Sequence, residues 1–239
     1  MKNGSPLIQI RNMTIGHGRP LYKDISFDIS EGDCIMLCGA NGSGKTTLLN
    51  AISEMQRKND SVRRGTAETA MIPARVPKVK GFTLKEFIRL SCFTGAGYMN
   101  NGRNGNGTEK AMKILGIERL ADRDISTLSD GEFQKACIAA ALARRASVIL
   151  LDEPTAFLDA ENRRSVLQAL SSLCSSGQGH AVIFSTHDLH EGMAACNKVL
   201  ALGADGIFRC APADEENVRI PAMRESMEKA VAGIFKETF

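Results

Sequence analysis

Nowhere does the sequence hold an apolar stretch long enough to cross a membrane, and its seven cysteines include no C-x-x-C pair. It also has no long basic run, no internal repeat and no long heptad insert. Each absence removes a class of function. Without a membrane-spanning run, any work at a membrane must use another subunit. Cys34, Cys38, Cys137 and Cys196 lie in apolar contexts where a free thiol packs as a small hydrophobe, so a reducing, cytoplasmic compartment is expected. The net charge of +3 is spread along the chain, and the pairs Arg63-Arg64 and Arg144-Arg145 read as solvated surface, so no nucleic acid is expected. Residues 1–6 carry no apolar signal core and lead directly into a strand-like alternation. With 239 residues and 43% hydrophobic content, the chain can bury the core of one large domain or of one domain with a small insert.

The most informative stretch is Gly39-Ala40-Asn41-Gly42-Ser43-Gly44-Lys45-Thr46-Thr47, between the apolar residues 34–38 and the helix-like Leu48-Leu49-Asn50-Ala51-Ile52. Strand, glycine loop and helix follow in that order. Glycines let backbone N–H groups turn toward an anion, and the helix presents its positive N-terminal end to the same point. Lys45 adds a mobile positive charge for outer phosphates, and the Thr46 hydroxyl can hold magnesium. The pattern G-x-x-x-x-G-K-[ST] is complete, so a nucleoside triphosphate is the expected ligand.

Around this loop the pattern alternates. Residues 7–15 and 22–29 read as strands joined by the turn Gly16-His17-Gly18-Arg19-Pro20, an antiparallel start. Residues 47–55 form the helix behind the loop, and residues 56–68 are polar, a loop or weak hairpin. Thr83-Leu84-Lys85-Glu86 has capping-box spacing ahead of Phe87, Ile88 and Leu90. Residues 95–107, rich in Asn and Gly, are expected to be disordered or tolerant of insertion, and residues 109–120 return to helix. Ser129 to Glu132 is a second capping box, opening a helix expected to run to about Arg145. Residues 148–151 and 181–185 read as buried parallel strands, with helices at 163–174 and 191–196, a strand at 199–202 and a hairpin partner at 207–210. This alternation predicts a parallel α/β core interrupted by a mainly helical block.

Asp152, at the end of an apolar strand, can hold magnesium opposite Thr46, and Glu153 can orient or deprotonate an attacking water. His187, just past the next strand, can hydrogen-bond a γ-phosphate or that water.

Gly39 to Thr46, Leu128-Ser129-Asp130-Gly131-Glu132, Leu150 to Pro154, Phe157-Leu158-Asp159 and Ser185-Thr186-His187-Asp188 together resemble the ATP-binding cassette (ABC) ATPases, in that family's order and over nearly the whole chain. The resemblance implies an α/β, P-loop NTPase (RecA-like) parallel-sheet core with an antiparallel β subdomain and an inserted α-helical subdomain. Residues 1–33 would be mostly the antiparallel part, 34–72 and 146–239 the core, and 73–145 the helical subdomain with the signature motif, all in one domain of residues 1–239. It implies ATP and Mg as ligands. The nucleotide would be held by Gly39, Asn41, Gly42, Ser43, Gly44, Lys45, Thr46 and Thr47, with Thr46 and Asp152 on the metal and Glu153, His187 and Lys45 catalytic. It further implies a head-to-tail homodimer in which Ser129 and Gly131 reach the partner's γ-phosphate and Asp159 is the D-loop aspartate.

Gly81-Phe82-Thr83-Leu84-Lys85-Glu86 and the phrase from Leu128 to Asp159 look most like importer ATPases for iron-siderophore, haem or cobalamin. Such a motor would sit peripherally on the cytoplasmic face of the inner membrane. Its partners would be transmembrane permease subunits, received in the cleft around residues 74–93, and indirectly a substrate-binding protein. The alternative is a soluble ABC ATPase driving a cofactor-assembly or nucleic-acid-linked complex. The chain departs from the family pattern at three places. The glutamine-loop position is Ala74, with Arg75 beside it. Asp130 and Glu132 place two acids in the signature, either near a polyphosphate or pointing away as helix N-terminal residues. Where the family often stacks an aromatic ring on adenine stands His17, which either stacks more weakly or is only a turn residue.

Overall fold

The computed structural model describes residues 6–54, 62–64, 67–91, 105–203 and 206–213. Strands β1 (Ile8–His17) and β2 (Arg19–Ile29) pair antiparallel, with Ile8, Ile10, Met13, Ile25, Phe27 and Ile29 buried. β3 (Cys34–Gly39) runs into α1 (Lys45–Glu54), as expected for strand, loop and helix. β4 (Val62–Arg64) then returns to pair antiparallel with β1. This corrects the reading that assigned residues 34–72 to the core, since 62–64 complete the antiparallel sheet. The segment 56–68, read as a loop or weak hairpin, thus supplies a strand whose three residues are too few to carry a period of two and so to show its partner.

The second sheet contains β5 (Thr69–Ile72), β6 (Val148–Leu151), β7 (Ala181–Ser185), β3, β8 (Lys198–Leu202) and β9 (Phe208–Pro212), in that order. All neighbours are parallel except β8 and β9. Side chains alternate between two cores, as the pleat requires. Ile35, Leu37, Val148, Leu150 and Ile183 pack with α1 and the antiparallel sheet, whereas Met36, Ile149, Leu151, Val182 and Phe184 pack against helices on the other face. Burial on both faces explains why these strands read as unbroken apolar runs.

Helix α2 (Leu84–Ser91) starts at the expected capping box: the Thr83 amide and hydroxyl donate to Glu86 Oε2 at 2.8 and 2.9 Å, and Thr83 Oγ1 accepts from the Glu86 amide at 3.2 Å. α3 (Gly105–Leu115) ends earlier than the expected helix over 109–120, because Gly116 takes φ +65° and residues Glu118–Leu120 form a separate 3-10 turn. Of the segment 95–107 expected to be loose, 105–107 open α3 and the rest lies outside the described residues. A second 3-10 turn (Ile125–Thr127) leads into α4 (Asp130–Ala143), which packs on α2 through the Phe87 and Phe133 rings, 5.7 Å apart. α5 (Ala160–Ser175) and α6 (Leu189–Ala195) complete the layer. No helix among the described residues is long and apolar enough to cross a membrane.

Register brings the chemistry to one edge. Leu37 is level with Ser185 and Leu151 with Phe184, so the loops leaving β3, β6 and β7 emerge together at the carboxyl ends of adjacent parallel strands. Open α/β sheets form their ligand crevices at such ends.

Candidate active site

The glycine loop is tight at its first residue. A Cβ on Gly39 would stand 2.5 Å from Ser43 Oγ and 2.9 Å from the Leu202 carbonyl oxygen, which only glycine avoids. Ser43 donates its amide to the Ala40 carbonyl at 3.1 Å. Lys45, only 6% exposed, folds back over the loop and donates to the carbonyls of Gly39 and Ala40 at 3.0 and 3.1 Å. Burial pushes its ammonium below the ordinary lysine pKa, against the pull of Glu153 and Asp152. Asn41 is exposed at the loop's tip, and Thr47 lies in the first turn of α1.

Ser43 Oγ is buried with no hydrogen-bond partner among the described residues. An orphaned hydroxyl, a lysine within the loop and the N-terminal end of α1 bring hydrogen-bond donors to one place, and that chemistry fits a polyphosphate.

Opposite the loop, Thr46 Oγ1 donates to Asp152 Oδ2 at 2.7 Å. Ser185 Oγ donates to Asp152 Oδ1 at 2.8 Å and accepts from the Glu153 amide at 2.7 Å. A buried serine thus orients both acids. Glu153 has φ +47°, a left-handed conformation costing a non-glycine residue about 1–3 kcal/mol, and His187 Nε2 lies 2.5 Å from its Oε1. Among the described residues no three His, Cys, Asp or Glu side chains form a metal cage. The Thr46 hydroxyl and Asp152 carboxylate are hard oxygen donors that suit magnesium sharing its remaining positions with phosphate and water. Bound there, magnesium would neutralise charge developing on the phosphates.

The other expected site residues form a separate cluster. Ser129 caps α4 by accepting from the Glu132 amide at 3.2 Å, while Glu132 Oε2 accepts from the Ser129 amide at 3.0 Å. Asp130 pairs with Lys78 at 2.6 Å, and Glu132 lies 3.8 Å from Arg123. The two signature acids therefore face cations of their own chain. Asp159 caps α5, accepting from the amide and side chain of Asn162 at 2.8 and 2.9 Å, and these bonds hold its carboxyl below the ordinary range. Asn162 also packs on Gly131, where an added Cβ would come within 2.5 Å of its Oδ1. Among the described residues, no hydrogen bond joins Ser129, Gly131 or Asp159 to the glycine loop.

Sequence reasoning gave no role to Ser185, Lys78, Asn162, Arg163 or Leu21. Arg163 Nη1 donates to Asp188 Oδ2 at 2.8 Å and its Nη2 to the Leu158 carbonyl at 3.3 Å, tying the turn after β6 to the loop of His187. Leu21, 45% exposed, lies 3.3 Å from where a Cβ on Gly44 would be, so it offers apolar surface beside the glycine loop. His17 ends β1, paired with Arg19, and its side chain lies outside the described residues. Spacing alone could have flagged Ser185, at the strand end two residues before His187. The others carry no local signal.

The description of the ABC transporter family matches residues 22–156. A zinc import ATP-binding protein (ZnuC 1) of Hahella chejuensis is 30% identical over 205 residues, covering 84% of this chain and 76% of its own length. An Fe(3+) ions import ATP-binding protein (FbpC) of Haemophilus influenzae is 33% identical over 211 residues; the match covers 82% of this chain and 59% of that relative. Among solved structures, a metal-chelate type ABC transporter in an inward-facing conformation superposes with a TM-score of 0.79 at 24% identity, covering 94% of this chain and 90% of the other. Geometry, family match and relatives agree: the chain belongs to the ABC transporter ATP-binding family.

Proposed function

We propose that this chain is the ATP-hydrolysing motor subunit of a metal-chelate importer, for iron-siderophore, haem or cobalamin. The observation that carries the catalytic part is the single network joining Thr46, Asp152, Ser185, Glu153 and His187. In this reading Glu153 accepts the proton of the attacking water while His187 holds its carboxylate, and Lys45 leaves the loop carbonyls to take the outer phosphates. Thr46 and Asp152 hold magnesium. Gly39, Asn41, Gly42, Ser43, Gly44 and Thr47 line the phosphate side, and His17 either stacks on the base or is only a turn residue.

Ser129, Gly131 and Asp159 act across a head-to-tail homodimer, and their separation from the chain's own glycine loop supports that assignment. The subunit works at the cytoplasmic face of the inner membrane, on permease subunits served by a substrate-binding protein. A cavity of about 280 Å³, lined by Met71, Pro73, Phe87, Ser91 and Arg144, suits a helix from a permease. The zinc and ferric-iron import relatives support a metal as cargo.

The test is steady-state ATP hydrolysis beside size-exclusion chromatography in ATP and magnesium, wild type against Glu153→Gln. The amide keeps shape but cannot accept a proton, so the variant should lose turnover and elute as an ATP-dependent dimer. Undiminished hydrolysis by the variant would sink the role given to Glu153.

A further inference from the structure

Ala74 carries only a methyl where the family pattern places a glutamine, so its side chain cannot reach a metal or a water. The loop between β5 and α2 nevertheless stays joined to the acidic strand end, through the next residue. The Arg75 guanidinium lies 4.7 Å from the centroid of the Phe157 ring. Phe157 is 59% exposed, so its ring face is open to the guanidinium. It belongs to the turns that begin at Glu153: the Ala156 amide donates to the Glu153 carbonyl at 3.2 Å and the Leu158 amide to the Thr155 carbonyl at 3.2 Å.

Three residues further along the same loop, Lys78 donates to the Leu128 carbonyl at 2.8 Å and to Asp130 at 2.6 Å. One loop therefore grips two functional turns with two cations, across an open cavity of about 530 Å³ lined by Ala74, Arg75, Lys78, Asp130, Glu153 and Phe157. Beside the Asp152 amide, which donates to the Ile72 carbonyl at 3.0 Å where the loop begins, Arg75 is a contact through which this loop reaches the turn that follows Glu153.

We infer that Arg75 is a positioning residue for hydrolysis, acting through Phe157 on the turn that carries Glu153 and replacing the link that Ala74 cannot make. The inference rests on the proposed role of Glu153. The cation sits over the negative face of the ring, so displacement of the loop draws on the acidic turn without any ligand to the nucleotide. Because the interaction needs a cation and a π-face rather than an amide, lysine can replace Arg75 and glutamine cannot.

The experiment compares kcat and KM for ATP in the purified full-length chain for wild type, Arg75→Ala, Phe157→Leu, the double variant, Arg75→Lys and Arg75→Gln. An exposed cation–π contact predicts a fall in kcat of about 2- to 5-fold in each single alanine or leucine variant, with KM unchanged. The double variant should fall no further than either single one, Arg75→Lys should retain most of the wild-type kcat, and Arg75→Gln should resemble Arg75→Ala. Multiplying losses in the double variant, wild-type kcat in Arg75→Ala, or equal losses in Arg75→Lys and Arg75→Ala would overturn the inference.

Amide hydrogen exchange of the peptide spanning 153–158 gives a second readout that needs no turnover. Exchange there should quicken in Arg75→Ala and not in Arg75→Lys, while 128–134, held by Lys78, stays unchanged. Unchanged exchange over 153–158 overturns the link even if the wild type hydrolyses ATP. A wild type without turnover refutes the proposed function and leaves the exchange result to decide the link.

Discussion

Replacing Ser185 by alanine tests how the acidic strand end is held. The side chain is fully buried and serves two groups at once, donating to Asp152 Oδ1 at 2.8 Å and accepting from the Glu153 amide at 2.7 Å. Removing the hydroxyl costs the carboxylate a charge-assisted bond, worth about 1.5–3 kcal/mol, and leaves a half-buried N–H unpaired, worth up to about 1–3 kcal/mol. The two losses share one oxygen and overlap in relaxation, so about 2–4 kcal/mol is expected rather than the full sum. Urea unfolding should show this as a midpoint lower by about 1–2 M. Function should suffer separately. Asp152 keeps only Thr46 as a hydroxyl partner, and loss of such an outer partner typically weakens a metal site about 10- to 100-fold, so the magnesium needed for half-maximal hydrolysis should rise by that factor. Ser185→Cys, which keeps the size but donates weakly, should fall between. A Ser185→Ala protein with the wild-type midpoint and magnesium dependence would refute the view that one buried serine sets both acids.

Gly131→Ala would drive a methyl to within 2.5 Å of Asn162 Oδ1, 2.8 Å of its Cγ and 2.9 Å of its Cβ, so melting should report an overpacking loss of about 1–3 kcal/mol, relieved in part when Asn162 is also changed to alanine and more fully when it is changed to glycine. Asp159→Asn keeps the shape of the α5 cap but removes its charge. Because the folded carboxyl lies below its ordinary 3.8, its stabilisation is present above that value and lost as pH falls through the folded pKa. The gap between wild type and Asp159→Asn in urea unfolding should therefore narrow as pH falls below about 4, and a gap independent of pH would contradict the assignment.

β3, β6, β7 and β8 were legible because they are buried on two faces, whereas the edge strand β5, half-buried on one face, went unread. Runs such as Val148-Ile149-Leu150-Leu151 have no polar position to spare, and the sequence says so without help from tertiary structure. Capped helices were legible for a similar reason, since Thr83 with Glu86 and Ser129 with Glu132 satisfy backbone groups three residues away. What failed was what local chemistry does not encode. β4 is three residues of backbone pairing on β1, fixed by its partner rather than by its own pattern. The helix over 109–120 kept its apolar spacing through Leu115, but Gly116 took the left-handed conformation that closes a helix, and spacing alone cannot detect that.

The site divides along the same line. The glycine loop was legible because its backbone, its lysine and its hydroxyl are consecutive, so the sequence lists them in the order in which they act. The groups that set those residues in place are joined only by register: Ser185 meets Asp152 because β7 lies beside β6, and Lys78 meets Asp130 across 52 positions. That is why Ala74, Asp130 and Glu132, judged one at a time against a family pattern, read as separate departures. In space each has an answer. Lys78 neutralises Asp130, Glu132 closes the cap of α4 with Arg123 at 3.8 Å, and Arg75 reaches the acidic turn that Ala74 cannot. Two of these answers come from one loop, so the substitutions are not independent. A sequence that restored glycine at position 130 alone would leave Lys78 facing only a carbonyl and a ring, and one that restored glutamine at 74 alone would add an amide to a loop already held by Arg75. The loop over residues 74–78 therefore joins the acidic turn to the turn that opens α4.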